Sequence, residues 1–319
     1  MKGFFMVHAK ISEKAVSPKA KIPVHVQLIV FFVLSFVIAW LAWLPAMLNP
    51  MAPQPLSILG LFAPAMSAVI VVWWAQGKAG VVALFKRYTI WRFSIGWYLL
   101  ALLLMPTIYM IALVVTLLST HGSFSNLFFA NSPLFILVAY VYLMVINSGE
   151  EIGWRGFALP LLQSVLPGPV TAGLMLGLIW GLWHLPLYIN PEVATMPYPL
   201  FLVLTVGLSL IYTHLFNRST GSLWTVVMLH AATDVLPRIL QLAQVGLQFW
   251  VVTTILVWLV ALGLSFLLRN TTPVIGPYIE RKGEPIGRIH TTTYEVQLFA
   301  GNDIKHRQVV VLGPNSPTS

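Results

Sequence analysis

The chain has 319 residues, 58% of them hydrophobic and 8% charged, with a mean hydropathy of +0.84. A soluble domain carries roughly 25% charged residues, so this composition excludes an ordinary soluble fold and points to a polytopic membrane protein. The absence of cysteine excludes disulfides, cysteine-ligated zinc, iron–sulfur clusters and a thiol nucleophile, and the net charge of +9 is gathered beside apolar runs rather than in a nucleic-acid-binding signature.

In chain order, residues 1–25 form a basic tail with Lys2, Lys10, Lys14, Lys19 and Lys21. Apolar runs of about 20 residues, the length that crosses a bilayer as a helix, follow at 26–48, 57–75, 96–118, 133–162, 169–189, 197–216, 221–239 and 247–268. The expected fold is therefore all-α, with about eight transmembrane helices in one membrane domain over 26–268. Lys78, Lys86, Arg87, Arg92, Arg218 and Arg269 fall on the same side as the N-terminal tail, while Arg238 is nearly alone on the other. By the positive-inside rule both termini are expected inside. The first run is too long, and lacks the small-residue cleavage site, for a removed signal peptide. Residues 76–95 mix bases with apolar side chains, a pattern that suits either an interfacial helix or a basic loop. The tail 269–319 is polar, with two β-prone stretches, TTTYEVQLF and RQVVVLG, that suggest a small soluble appendage.

Few ionisable groups remain inside the membrane domain. The stretch NSGEEIGWRGF carries Glu150, Glu151 and Arg155, and HAATD carries His230 and Asp234. Each charge near a helix centre costs about 2.5–3.5 kcal/mol on insertion scales, so placement there calls for pairing or a function. Glu151 and Arg155, four apart with the acid first, suit an ion pair on one helix face. Glu150 lies about 100° away around the helix and needs a different partner. A carboxylate in a water-accessible intramembrane cavity is suited to general-base work. In GLMLGLIWGLWHLP, Gly173, Gly177 and Gly181 form a small-residue ridge for a neighbouring helix, with His184 beside it and Pro186 ending the helix. His230 and Asp234, one turn apart, suit either a histidine oriented by Asp or two ligands of a metal site. Counted along the helices at about 1.5 Å per residue, Glu150, His184 and His230 lie about 18, 22 and 14 Å from the inner ends of their spans. They converge on one layer, expected to open as a cavity toward the inner side.

The order Glu-Glu-x-x-x-Arg, aromatic-x-x-x-His and His-x-x-x-Asn/Asp, carried here by Glu150, Glu151 and Arg155, by Trp180 and His184, and by His230 and Asp234, resembles the CPBP family of intramembrane proteases. That family includes the Ras-converting CAAX endopeptidases and bacterial self-immunity proteins. The resemblance covers roughly 133–239. It implies an intramembrane endopeptidase with a conical cavity, in which Glu150 and His184 activate a water, His230 and the residue at 234 stabilise the oxyanion, and Glu151 with Arg155 holds the site in shape. Membrane lipid and a peptide or lipidated-protein substrate are the implied partners, nucleic acid is not, and a bacterial plasma membrane is the implied location. Two residues depart from the pattern. Trp180 replaces the usual Phe, and Asp234 stands where the prenyl-protein endopeptidases have Asn. An ionised Asp cannot donate to an oxyanion, so orientation of His230 is the role expected of it.

His184, His230 and a Glu are also a plausible Zn²⁺ ligand set, which leaves metalloprotease chemistry open, although the zincin HExxH helix is absent. A Gly-x-Ser-Gly nucleophile and a second intramembrane aspartate are both lacking, which disfavours serine and aspartyl intramembrane proteases. A non-catalytic immunity or scaffold protein of the same fold is the alternative, and a proton-coupled transporter a third.

Overall fold

Ser132 and Pro133 start the helix on which the acidic pair sits. The Ser132 side chain accepts a hydrogen bond from the Phe135 amide (3.2 Å), and proline at the first helical position loses no internal bond. The same chemistry sets other boundaries. Ser94 starts a helix by accepting from the Gly96 amide (3.4 Å), and Gly168, at φ 93°, turns the chain into a helix that opens with Pro169. The computed structural model describes residues 22–48, 55–121, 132–189, 196–239, 245–268, 273–274, 290–300 and 303–313. The lysines of the N-terminal tail, Glu192 and Arg269 lie outside the described residues.

One unit, residues 20–279, is helical. Its helices are α1 (Val24–Leu48), α2 (Pro55–Leu61), α3 (Ala63–Phe85), α4 (Ile95–Thr120), α5 (Pro133–Glu151), α6 (Leu159–Val165), α7 (Pro169–Trp183), α8 (Tyr198–Arg218), α9 (Leu223–Ile239) and α10 (Leu247–Leu268), with a π-helical segment, Ile152–Ala158, joining α5 to α6. All eight predicted apolar runs are helical. Among the described residues six helices are long and apolar enough to cross a bilayer, and α7 and α9, of 15 and 17 residues, are shorter. Large apolar side chains such as Val33, Leu41, Leu103, Val141 and Leu259 are exposed on the outer faces of the bundle, as lipid contact requires of an integral membrane protein. The 76–95 segment is helical as far as Phe85. Gly77 adopts φ 65°, ψ −157°, which breaks α3 and separates residues 78–85 as a helical piece of their own, and a 3₁₀ turn, Lys86–Thr89, follows.

The core is centred on α8, whose residues 207–217 are all buried. The glycine ridge of α7 makes this close approach. A Cβ on Gly177 would lie 2.7 Å from Ser209 Cβ and 2.8 Å from Val206 Cα, and Gly173 and Gly181 face Thr213 and Leu202. Successive long helices alternate in direction, so the bundle has two ends. One end carries Lys86, Arg87, Arg92 and Arg218 and is tied together by polar contacts: Arg87 donates to the Gly221 carbonyl (3.4 Å), Ser222 to that of Ile90 (2.7 Å) and Trp224 to that of Tyr88 (2.6 Å). The opposite end carries the α7–α8 connection and the C-terminal end of α9.

The two β-prone stretches of the tail pair as an antiparallel hairpin, β1 (His290–Ala300) with β2 (Asp303–Gly313), in register from His290 against Gly313 to Ala300 against Asp303.

Candidate active site

At the end of α5 the chain leaves α-helical for π-helical geometry, with glycines at 153 and 156 inside the wider turn. The Gly153 backbone lies against Pro64, where any Cβ would collide, so α3 and the π segment pack without side chains between them. Every residue from Gly149 to Gln163 is buried. A π turn within an α-helix often marks a functional site, and here it begins immediately after the acidic pair.

The two glutamates point to different partners, as their angular separation demands. Glu151 and Arg155 are fully buried, and Arg155 Nη1 donates to Glu151 Oε1 (2.8 Å). The same oxygen accepts from His230 Nδ1 (2.8 Å). The guanidinium is sandwiched 4.4 Å from the ring centres of Trp180 and Tyr212, and its Nε and Nη2 meet no acceptor. Aromatic faces thus take the place of further hydrogen bonds to this cation. Glu150 Oε2 instead accepts from the Trp180 indole Nε1 (2.7 Å). The Trp180 carbonyl in turn accepts from His184 Nδ1 (2.8 Å), and since a carbonyl can only accept, that nitrogen carries the proton and Nε2 is the basic one. Trp180 therefore holds both the carboxylate and the imidazole, one with its side chain and one with its backbone.

Asp234 departs from expectation. Its Oδ2 accepts from Asn147 Nδ2 (3.1 Å) and lies 3.5 Å from Arg238 Nη1, which also donates to the Asp234 carbonyl (2.6 Å). The nearest approach to His230 is 4.0 Å, beyond hydrogen-bonding distance. Glu151, not Asp234, orients His230, because the histidine turns its Nδ1 into the buried ion pair and leaves Asp234 nearer the surface with a cation of its own.

Glu150, His184, His230 and Asp234 line one cavity of about 840 Å³, whereas Glu151 and Arg155 lie behind its wall. The remaining lining is mainly apolar and aromatic, including Tyr109, Tyr142, Leu143, Phe201 and Leu208. It reaches Leu187, Tyr188 and Met196 in the α7–α8 connection, Pro237 and Arg238 at the end of α9, and Trp250 near the start of α10. All of these belong to the bundle end away from Arg87 and Arg92.

Residues 130–236 match the family model described as type II CAAX prenyl endopeptidase, Rce1-like. The chain is also 34% identical over 89 residues to CAAX prenyl protease 2 of Methanococcus maripaludis, an alignment covering 27% of this chain and 32% of that relative. Residues 130–236 are thus similar to the CPBP family of intramembrane proteases. The chain's match spans about a third of the length of that curated relative, and the segment matched by the family model runs from the start of α5 to near the end of α9, so it includes Glu150, Glu151, Arg155, Trp180, His184, His230 and Asp234 but not Arg238.

Two members of this cluster, Asn147 and Tyr212, are not distinguished by motif reading. Asn147 lies three residues before Glu150 and so shares its helix face, a signal that spacing alone offers. Tyr212, which stacks on Arg155, leaves no trace in sequence beyond being one polar group in a buried helix. Trp180 occupies a recognised position, but its indole N–H, which Phe lacks, is what reaches Glu150. Among the described residues no three His, Asp or Glu side chains converge as a metal-ligand set. Both histidines give Nδ1–H to protein acceptors, which leaves each Nε2 as the nitrogen open to a proton, a water or a metal.

Proposed function

We propose that the chain is an intramembrane endopeptidase that hydrolyses peptide bonds of membrane-associated or lipidated peptides with a water activated by Glu150 and His184. The observation that carries this reading is the division of the cluster into a cavity-facing set, Glu150, His184 and His230, and a buried support, Glu151 with Arg155. Glu150 has one oxygen occupied by Trp180, which leaves the other to take a proton from water as its oxygen bonds to the peptide carbonyl carbon. His184 Nε2 holds the same water by its second proton.

The carbonyl oxygen becomes an oxyanion in this step and needs a donor. His230 gives Nδ1–H to Glu151, so as an imidazolium it offers a second N–H on Nε2, the side nearer Asp234 and the cavity. Two carboxylates, Glu151 and Asp234, flank that cation. Collapse of the intermediate breaks the carbon–nitrogen bond, and the proton held by Glu150 passes to the leaving amine. No step in this scheme is routed through a metal ion. The basic loops and the lysine-rich N-terminal sequence support a placement with both termini inside; a bacterial plasma membrane is the location that the family resemblance implies.

The test is an unbiased peptide-release screen with the purified protein in lipid nanodiscs. Wild type releases a defined set of fragments, and Glu150→Gln and His184→Ala, expressed to the same level, release none. Retained cleavage in both variants refutes the reading.

A further inference from the structure

We infer that Asn147 is a further catalytic residue, whose side-chain N–H joins His230 Nε2–H in stabilising the oxyanion formed on the peptide carbonyl. The inference rests on the endopeptidase reading and adds to it a second donor for the developing charge.

A buried amide in an apolar helix needs partners. Asn147 stands in the run VYLMVINSGEE of α5, is 3% exposed, and lines the cavity with Glu150, which follows it by three residues on the same helix face. Its Nδ2 donates to Asp234 Oδ2 (3.1 Å). That bond also sets which way the amide faces. A carboxylate held by Arg238 (3.5 Å) accepts and does not donate, so it selects the amide nitrogen over the amide oxygen. The nitrogen has two hydrogens, and the second meets no acceptor among the described residues.

Neighbouring donors are already spent. Trp180 Nε1 is held by Glu150 (2.7 Å), and the Tyr109 hydroxyl donates to the Thr233 carbonyl (3.0 Å). The Thr233 and Thr205 hydroxyls donate to carbonyls one turn back, those of Leu229 and Phe201 (2.8 Å each). His230 gives Nδ1–H to Glu151, and its Nε2 lies 4.0 Å from Asp234 Oδ2. Two nitrogens, one from α5 and one from α9, thus flank a single carboxylate oxygen whose charge Arg238 offsets. As the water oxygen bonds to the carbonyl carbon and Glu150 takes its proton, the carbonyl π electrons move onto the oxygen, which accepts the free hydrogen of Asn147 Nδ2 and the Nε2–H of His230. When the carbon–nitrogen bond breaks, that electron pair re-forms the carbonyl. Base and oxyanion donor then stand one turn apart on one helix. Asp234 is a positioning residue in this scheme: it turns the Asn147 nitrogen to the site, which an acid can do although it has no hydrogen of its own to give.

The test uses the full chain in lipid nanodiscs and a peptide that the wild type cleaves in the release screen. Asn147→Ala removes the amide while Arg238 still holds Asp234, and Asn147→Asp removes both hydrogens at nearly constant size. Each lowers kcat by about 10²–10³-fold, the loss expected for one oxyanion donor, with KM unchanged. Adding Asp234→Asn to Asn147→Ala returns an amide N–H to the site and regains about tenfold in kcat. A merely structural pair does not behave so, because removing its second half restores nothing. A wild-type kcat in both single variants, a loss carried by KM, or no regain in the double variant overturns the inference. With Glu150→Gln inactive, any of those results leaves the endopeptidase reading standing without Asn147. Cleavage retained in both Glu150→Gln and His184→Ala retires that reading, and the inference with it.

Discussion

The buried Glu151–Arg155 pair makes a quantitative prediction about how the site is held. Both side chains are fully buried, share one 2.8 Å bond, and lie where Arg155 has aromatic faces but no second acceptor. Arg155→Met leaves Glu151 with His230 as its only cation; Glu151→Leu leaves a guanidinium between two rings with no anion. Removing one partner of a buried pair costs about 3–5 kcal/mol, whereas replacing both by apolar residues of similar volume is often close to neutral. At about 2–4 °C per kcal/mol for a domain of this size, each single substitution lowers the melting temperature in detergent by about 6–20 °C. The double variant should be more stable than the sum of the two losses by about 3 kcal/mol or more, at or above the upper end of the range for groups in direct contact. Melting curves of the four proteins, followed by tryptophan fluorescence at one detergent concentration, complete the cycle. The double variant remains inactive even where it is stable, because His230 has lost the acceptor of its Nδ1. Additive losses would refute the idea that the two residues act as one unit, and a fully active double variant would refute the role of Glu151 in orienting His230.

Other residues give separate tests. Trp180→Phe keeps a ring over Arg155 and removes the donor to Glu150, so cleavage falls about tenfold, the equivalent of roughly 1.4 kcal/mol, with an unchanged melting temperature; a wild-type rate would show that the indole bond is idle. Asp234→Asn retains an acceptor for Asn147 and Arg238 and stays within about tenfold of wild type, since a change that leaves the Glu151–His230 bond intact costs about one kcal/mol or less; a loss of hundredfold or more in kcat would return the orientation of His230 to Asp234. Gly177→Val drives a side chain into Ser209 and Val206 and lowers stability by about 1–3 kcal/mol, as overpacking does, which thermal melting would detect or deny. Dialysis against a chelator leaves cleavage unchanged, and a loss that added Zn²⁺ restores would overturn a mechanism without metal.

The pattern of helices was readable because bilayer crossing imposes a length and an apolarity that composition records directly. Angular position on a helix was equally readable: Glu150 and Glu151, adjacent in sequence, do reach different partners, Trp180 and the Arg155–His230 pair. The α7 glycines do meet α8. What spacing could not reveal is what depends on a second helix. Which histidine nitrogen is used, and by which acid, follows from the backbone carbonyl of Trp180 and from the reach of Glu151 across to α9, while the i, i+4 spacing of His230 and Asp234 brings that pair to 4.0 Å without a hydrogen bond. The π segment was hidden too, since its hydrogen-bond pattern is set by the packing of Gly153 against Pro64 rather than by a local residue signature.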